Sequence, residues 1–323
     1  FKGLYEKAND DFETAVAFYT ETNNISRQAE LSNLIGSLDY LQGQFDAALA
    51  QQHHALLLSR ELGNVVQQAK ILRDMGHVYT AQSDADQAIT HLQQALAINQ
   101  KINNRSGTAR TLHSMGRICL QQDKNEDALR YFQEGLALVE KMGLRRNISL
   151  SLNSIGIVYK RQLRYAEAIG HYQRALKINR ALGDQAEIAN NLNNLGNVYK
   201  HLKQYDLAEP QFKEAIQIAE MINHPEGLVG YLGNLALFYK VLGDGQKALP
   251  VFAQAIALAR EIKVNYSLAL LLIEHGGMLL DLERPSEAIP LAKEGLELAK
   301  AINAADLVEM GQQLSGKLAA VDG

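Results

Sequence analysis

Residues 191–215 read NLNNLGNVYKHLKQYDLAEPQFKEA, and the spacing of Leu192, Leu195, Gly196, Tyr199, Ala208, Phe212 and Ala215 in this stretch decides the fold. Steps of three and four residues place side chains on one helix face, so two helices are read here. Helix A carries Leu192, Leu195, Gly196 and Tyr199; helix B carries Ala208, Phe212 and Ala215. The small residues let two antiparallel backbones approach closely, and each large one fills the groove opposite.

The same pattern recurs along the chain. Gly36, Gly76, Gly116, Gly156, Gly196 and Gly276 stand at steps of 40 or 80, with Ala236 in the intervening slot. Twelve residues after each comes an alanine (Ala48, Ala88, Ala128, Ala168, Ala208, Ala248, Ala288), and Ala8 extends the column backwards. Four residues further on the slot is usually large (Phe12, Leu92, Phe132, Tyr172, Phe212, Phe252), and three beyond that it is small again. A column at Asn23, Gly63, Asn103, Gly143, Gly183, Asn223, Lys263 and Asn303 holds residue types that tolerate the left-handed backbone ending a helix, with Lys263 the departure. Pro225 and Pro285 fall near helix starts, where a missing N–H is harmless, whereas Pro210, Pro250 and Pro290 sit deeper in helix B.

Fixed periodicity of this kind marks a repeat array. The expected architecture is all-α, a right-handed superhelical solenoid of antiparallel pairs over 1–323, with helix A lining the inside. It comprises a half repeat (3–22) and seven full repeats (about 25–62, 65–102, 105–142, 145–182, 185–222, 225–262 and 265–302). A capping helix (304–320) follows, for about sixteen helices in all.

The arrangement Leu195-Gly196-x-x-Tyr199 followed by Ala208-x-x-x-Phe212 resembles the tetratricopeptide repeat, and the resemblance covers essentially the whole chain. The Trp usual in helix A is replaced by leucine (Leu72, Leu112, Leu152, Leu192, Leu232, Leu272), and the usual closing proline is absent. The 40-residue variant is similar to the arrays of Pins/LGN-type adaptors, kinesin light chains and bacterial signalling proteins. A 40-residue period also suits HEAT or armadillo repeats, but the Gly/Tyr/Ala/Phe columns decide against them. The resemblance implies peptide binding and scaffolding, with the ligand held on the helix A residues that turn away from helix B.

Mapped onto this sequence, that wall comprises Lys70, Arg73, His77, Arg110, His113, Arg117, Asn153, Lys160 and Arg161, then Asn190, Asn193, Asn194, Asn197, Lys200, His201, Asn234 and Lys240. It is basic and amide-rich, flanked by Glu30 at one end and by Glu274 and Asp281 at the other. Amide side chains both donate and accept, so a ladder of them suits a peptide backbone, while arginines select carboxylates. An acidic protein or peptide ligand is the expectation. The bland reading, a merely solvated helix face, applies to any one of these residues; their clustering argues against it. The carboxylate clamp of some relatives is not expected, because Leu270 and Glu274 fill the slots for its cations.

Net charge is −4 over 323 residues, and no run is long and apolar enough to span a membrane, so neither nucleic acid nor membrane insertion is expected. The start at Phe1 rather than Met implies a processed or excised fragment. The single cysteine, Cys119, cannot form an internal disulfide, and a cytoplasmic location is expected. It shares a column with Tyr79, Tyr159 and Tyr199 and reads as packing; His275, in an apolar column, reads as a tolerated irregularity. Gly227, Gly230 and Gly233 imitate a phosphate loop but lie on a helix A with no preceding strand, and close helix packing is the reading. No metal-ligand spacing, nucleophile motif or cofactor loop is present, so no enzyme, metal or cofactor is expected. Two function classes remain: a binding scaffold, or the regulatory sensor arm of a larger bacterial-type signalling protein. Self-association through the terminal repeats is a further expectation.

Overall fold

The computed structural model describes the backbone of residues 2–322 and the side chains of residues 11, 12 and 14–320, so Ala8 lies outside the described side chains. The described residues form sixteen helices and no strand. They are α1 (Lys2–Glu21), α2 (Ile25–Leu41), α3 (Phe45–Glu61), α4 (Val65–Ala81), α5 (Ala85–Lys101), α6 (Arg105–Gln121), α7 (Asn125–Lys141) and α8 (Arg145–Arg161). There follow α9 (Tyr165–Leu182), α10 (Gln185–His201), α11 (Tyr205–Met221), α12 (Pro225–Val241), α13 (Gly245–Glu261), α14 (Asn265–Asp281), α15 (Pro285–Ala301) and α16 (Ala305–Asp322). From α2 onward a helix starts every 20 residues, so the 40-residue sequence period consists of two halves of equal length.

A three-residue linker suffices because one residue serves two helices. Between α3 and α4, the Gly63 N–H donates to Arg60 O at 3.0 Å and the Asn64 N–H to Ser59 O at 2.9 Å, closing α3 in a Schellman motif. Asn64 then caps α4, its Oδ1 accepting from the Gln67 N–H at 3.1 Å. Every residue of the anticipated terminator column, Lys263 included, has positive φ, from 49° to 70°. A second such column, halfway between, carries no sequence signature: Gly43, Ser83, Asp123, Leu163, Lys203, Gly243 and Glu283 have φ of 56° to 76°. Linker geometry demands the left-handed conformation there whatever the side chain.

The small and large columns interlock as their spacing predicts. Ala48, Ala88, Ala128, Ala168, Ala208, Ala248 and Ala288 are all fully buried. A Cβ added at Gly116 would lie 2.6 Å from the Phe132 ring, one at Gly196 would lie 2.8 Å from the Phe212 ring, and one at Gly76 would lie 2.9 Å from Leu92. The large residue of helix B therefore rests directly on the helix A backbone.

The helices group into two compact units, residues 1–162 and 163–323. In the first, α2/α3, α4/α5 and α6/α7 form antiparallel pairs, α8 packs on α7, and α4 also touches α2 and α6. Its cores comprise Ala55, Leu56, Ile71, Leu72, Met75 and Ala95, and then Ala88, Leu92, Met115 and Ile118. In the second, α10/α11, α12/α13 and α14/α15 pair, α9 packs on α10, and α16 covers α14 and α15. Phe212, Phe238 and Phe252 centre its larger core, and Leu307, Leu314 and Leu318 of α16 complete a smaller one.

Pro225 and Pro285 occupy the first helical position of α12 and α15, while α11, α13 and α15 run through Pro210, Pro250 and Pro290. Cys119 is buried, and burial raises its thiol pKa. His275 lies flat on Phe252, with ring centroids 5.2 Å apart. Of the α12 glycines, Gly233 abuts Leu271 and Gly227 abuts His224, whereas Gly230 faces open space.

Replacing Gly196 with alanine forces the Phe212 ring out of place and is expected to lower the unfolding free energy by about 1–3 kcal/mol. The opposite sign is expected for Leu144→Asp. Leu144 occupies the N-cap of α8 without a capping side chain, and the carboxylate should add about 1 kcal/mol. Urea denaturation of the two variants beside the parent chain measures both changes.

Candidate functional site

Within residues 1–162, the predicted wall residues of α4 and α6 converge. Lys70, Arg73 and Arg110 line a cavity of about 380 Å³ with residues of α2 and the first turns of α4 and α6. Arg73, His77, Arg110, His113 and Arg117 line a second cavity, of about 280 Å³, which also takes in Asn147, Leu150 and Ser151 from the start of α8. Arg73 and Arg110 belong to both, so the two cavities adjoin along one face.

Charge on this face divides into paired and unpaired cations. Arg73 binds Asp74 Oδ1 at 2.8 Å, and the Asn33 Nδ2 group donates to Asp74 Oδ2 at 3.2 Å. Arg161 is drawn to the α6–α7 turn, donating to Leu120 O at 2.6 Å and to Asp123 Oδ1 at 2.9 Å. Among the described residues, Lys70, Arg110 and Arg117 form no ion pair. Burial and the neighbouring Arg161 lower the Lys160 pKa. Asn153 is half-buried on α8 and already engaged by a partner.

The two histidines add no charge at neutral pH. His113 is pushed down to about 4 by burial first, then by Arg117 and His77. His77 is also lowered, mainly by burial, with Asp74 opposing and Arg73 and Arg117 assisting. Its Nε2 lies 2.8 Å from the Ser114 Oγ, and that hydroxyl also lies 3.2 Å from Arg110 O, which ties the imidazole of α4 to the backbone of α6. The positive field of this wall comes chiefly from Lys70, Arg110 and Arg117, since Arg73 and Arg161 are paired.

Within residues 163–323 the wall is an amide array. Asn234 Nδ2 donates to Asn193 Oδ1 at 2.9 Å, which leaves the Asn193 amide group as donor and the Asn234 oxygen as acceptor. Asn197 Nδ2 donates to Asn193 O at 3.1 Å. Tyr231, absent from the sequence-derived set, donates its hydroxyl to Asn190 Oδ1 at 2.6 Å, and burial raises its pKa to about 12. Asn194 and Lys200 lie half-buried on α10, each already engaged. Lys240 is paired with Glu274 at 2.7 Å and so offers little free charge.

The residues missed from sequence, Asp74, Ser114 and Tyr231, share a cause. Side-chain contacts between neighbouring A helices join residues 41, 37 or 34 apart (Asn33 with Asp74, Asn193 with Asn234, His77 with Ser114, Lys240 with Glu274), not residues at the 40-residue column spacing. The offset turns side chains next to the mapped columns into wall residues.

Among the described residues no group of His, Cys, Asp and Glu is placed to hold a metal ion, and no helix is long and apolar enough to cross a membrane. The sequence matches the tetratricopeptide repeat family model over residues 27–101, 67–141 and 147–221. No curated protein is similar enough in sequence to count as a relative. Among solved structures, the apo form of RapI superposes with a TM-score of 0.70 at 17% identity, over 86% of this chain and 99% of that one. A STAND protein with a tetratricopeptide repeat sensor from Pyrococcus horikoshii gives 0.68 at 16%, over 97% of this chain and 50% of that one. A Rap protein complexed with Competence and Sporulation Factor gives 0.58 at 18%, over 96% and 99%. At these identities the likeness is one of fold.

His113 provides a check on the electrostatics. Its folded pKa of about 4 lies below the unfolded value near 6.5, so the stability of the neutral form is complete above pH 6.5 and is lost as pH falls toward 4. The unfolding free energy is expected to drop by about 3 kcal/mol from this group between pH 7 and pH 4, with His77 adding to the loss. Denaturation at a series of pH values should show that slope flattened in His113→Gln.

Proposed function

The chain belongs to the tetratricopeptide repeat family, and from that premise we propose that it is a protein-binding scaffold, not an enzyme, whose helix A wall holds an acidic peptide segment. The observation that carries this reading is the set of unpaired cations, Lys70, Arg110 and Arg117, on a wall whose own acidic residue, Asp74, is already engaged. A cation left unpaired beside a cavity favours an anionic ligand, and each charge-assisted hydrogen bond contributes about 1.5–3 kcal/mol. The paired amides of Asn193 and Asn234 offer one donor and one acceptor, the complement of a peptide group. The Rap protein solved with Competence and Sporulation Factor shares the fold and is consistent with a ligand-holding role. The lone buried Cys119, which needs no partner in a reducing environment, supports placing the protein in the cytoplasm.

A second reading takes the chain as the sensor arm of a larger signalling protein. It is favoured by the STAND protein, whose chain this one covers by only half. Self-association through terminal repeats is also proposed, and multi-angle light scattering that gives a monomer mass at high concentration would remove it.

The scaffold reading is tested with two fluorescent peptide libraries, one rich in Asp and Glu and one rich in Lys. The acidic library is expected to bind and to weaken at least tenfold in an Arg110→Ala/Arg117→Ala variant of unchanged helicity. Equal binding of both libraries would overturn the reading.

A further inference from the structure

The cavity of about 280 Å³ between α4, α6 and the start of α8 combines cationic and apolar walls. Arg73 enters it from α4, and Arg110 and Arg117 from α6, while none of its lining residues is acidic. Arg110 and Arg117 are seven residues apart, which sets them two turns apart on one helix face, about 10 Å along the axis. Arg73 and Arg117 both lower the His77 pKa, and Arg117 lowers that of His113 as well, so guanidiniums from two helices bear on the same pair of imidazoles. The apolar lining is Ala109, Val139 and Leu150, the first two buried.

Charge separates the anions that can enter. Arg73 is matched by Asp74 at 2.8 Å, whereas Arg110 and Arg117 are exposed and, among the described residues, form no ion pair. Two positive charges therefore remain uncompensated, and a single carboxylate would leave one of them over. A phosphate monoester carries about −1.5 to −2 charge at pH 7 and three terminal oxygens that accept strong hydrogen bonds. Those oxygens are arranged tetrahedrally and can be reached from two helices at once, whereas the two oxygens of a carboxylate lie in one plane. The apolar lining suits a phosphate carried on an organic group rather than a bare ion.

We propose that this cavity is a phosphate subsite that takes a phosphorylated side chain of the bound peptide, its phosphoryl group between Arg110 and Arg117 and its carbon atoms against Ala109 and Leu150. The inference rests on the reading of the wall as an acidic-peptide surface and narrows the acid there to a phosphoryl dianion. Arginine in all three cationic places agrees with this, since a guanidinium fork meets phosphate oxygens two at a time where a lysine supplies a point charge. Recognition through this subsite would be conditional on modification of the partner.

The test uses the full chain and a fluorescein-labelled peptide, Gly-Ser-Leu-X-Leu-Ser-Gly, read by anisotropy, with X as phosphoserine, as serine or as a Glu-Glu pair of matched charge. The phosphopeptide is expected to bind at least tenfold more tightly than the Glu-Glu peptide, and the serine peptide more weakly than either. Arg110→Lys/Arg117→Lys keeps the charge and loses the forks, and should bring the phosphopeptide down to the level of the Glu-Glu peptide. Both sites are exposed, and circular dichroism should find the variant as helical as the parent. Equal affinity for the phosphoserine and Glu-Glu peptides would overturn the proposal, as would a phosphopeptide preference that survives in the lysine variant. Free O-phosphoserine that competes at the phosphopeptide's own affinity would assign the cavity to a small molecule, and a single-stranded oligonucleotide that does so would assign it to nucleic acid. Either result sinks the phosphopeptide role. If the acidic library still binds and still responds to Arg110 and Arg117 while the phosphoserine and Glu-Glu peptides bind alike, this inference alone fails; if neither the library nor the phosphopeptide binds, both readings fail.

Discussion

The contact that everything else depends on is that of a large side chain resting on a bare helix backbone. Phe132 over Gly116, Phe212 over Gly196 and Leu92 over Gly76 set the separation of helix A from helix B in their repeats. The flanking alanines, fully buried, keep the approach close along the whole pair. Because helix A is held at its small residues by helix B and on its flank by the preceding helix, only its remaining face is free of packing duty. That freedom is what lets one face of helix A be polar without weakening the core.

Linker economy follows from the same regularity. Three residues, or two between α9 and α10, reverse the chain at each turn because the residue after the left-handed one both closes the outgoing helix and opens the next. Asn24, Asn64, Asp84, Asn104, Asp184 and Asp244 perform this with their side chains, whereas Leu144, Val264 and Arg284 occupy the same place with backbone bonds alone. Stability in an array of this kind is a sum over local pairs and interfaces, so a missing cap weakens one junction rather than the register.

The character of the wall is set by which charges remain after the protein has satisfied its own. A count of basic side chains overstates the field, since Arg73, Arg161 and Lys240 are neutralised locally and His77 and His113 stay uncharged. The surplus is concentrated on Lys70, Arg110 and Arg117. In residues 163–323 the amides bond to one another, so the surface there offers matched donors and acceptors rather than charge.

By itself the sequence determined the helix pairs, their period and their packing columns, because steric complementarity between glycine or alanine and an aromatic ring is a property of residue size at fixed spacing. It also marked the B-to-A turns, where Gly and Asn recur, and it placed most of the wall residues on helix A. The second column of left-handed residues escaped it, since Leu163, Lys203 and Glu283 adopt that backbone under the demand of linker geometry and not of their own preference. Tertiary structure alone decided which wall residues are electrically free. Hydrogen bonding and ion pairing there depend on contacts between neighbouring A helices at residue offsets of 41, 37 or 34, which one-dimensional periodicity cannot express, and so Asp74, Ser114 and Tyr231 enter the site only when neighbouring A helices lie side by side.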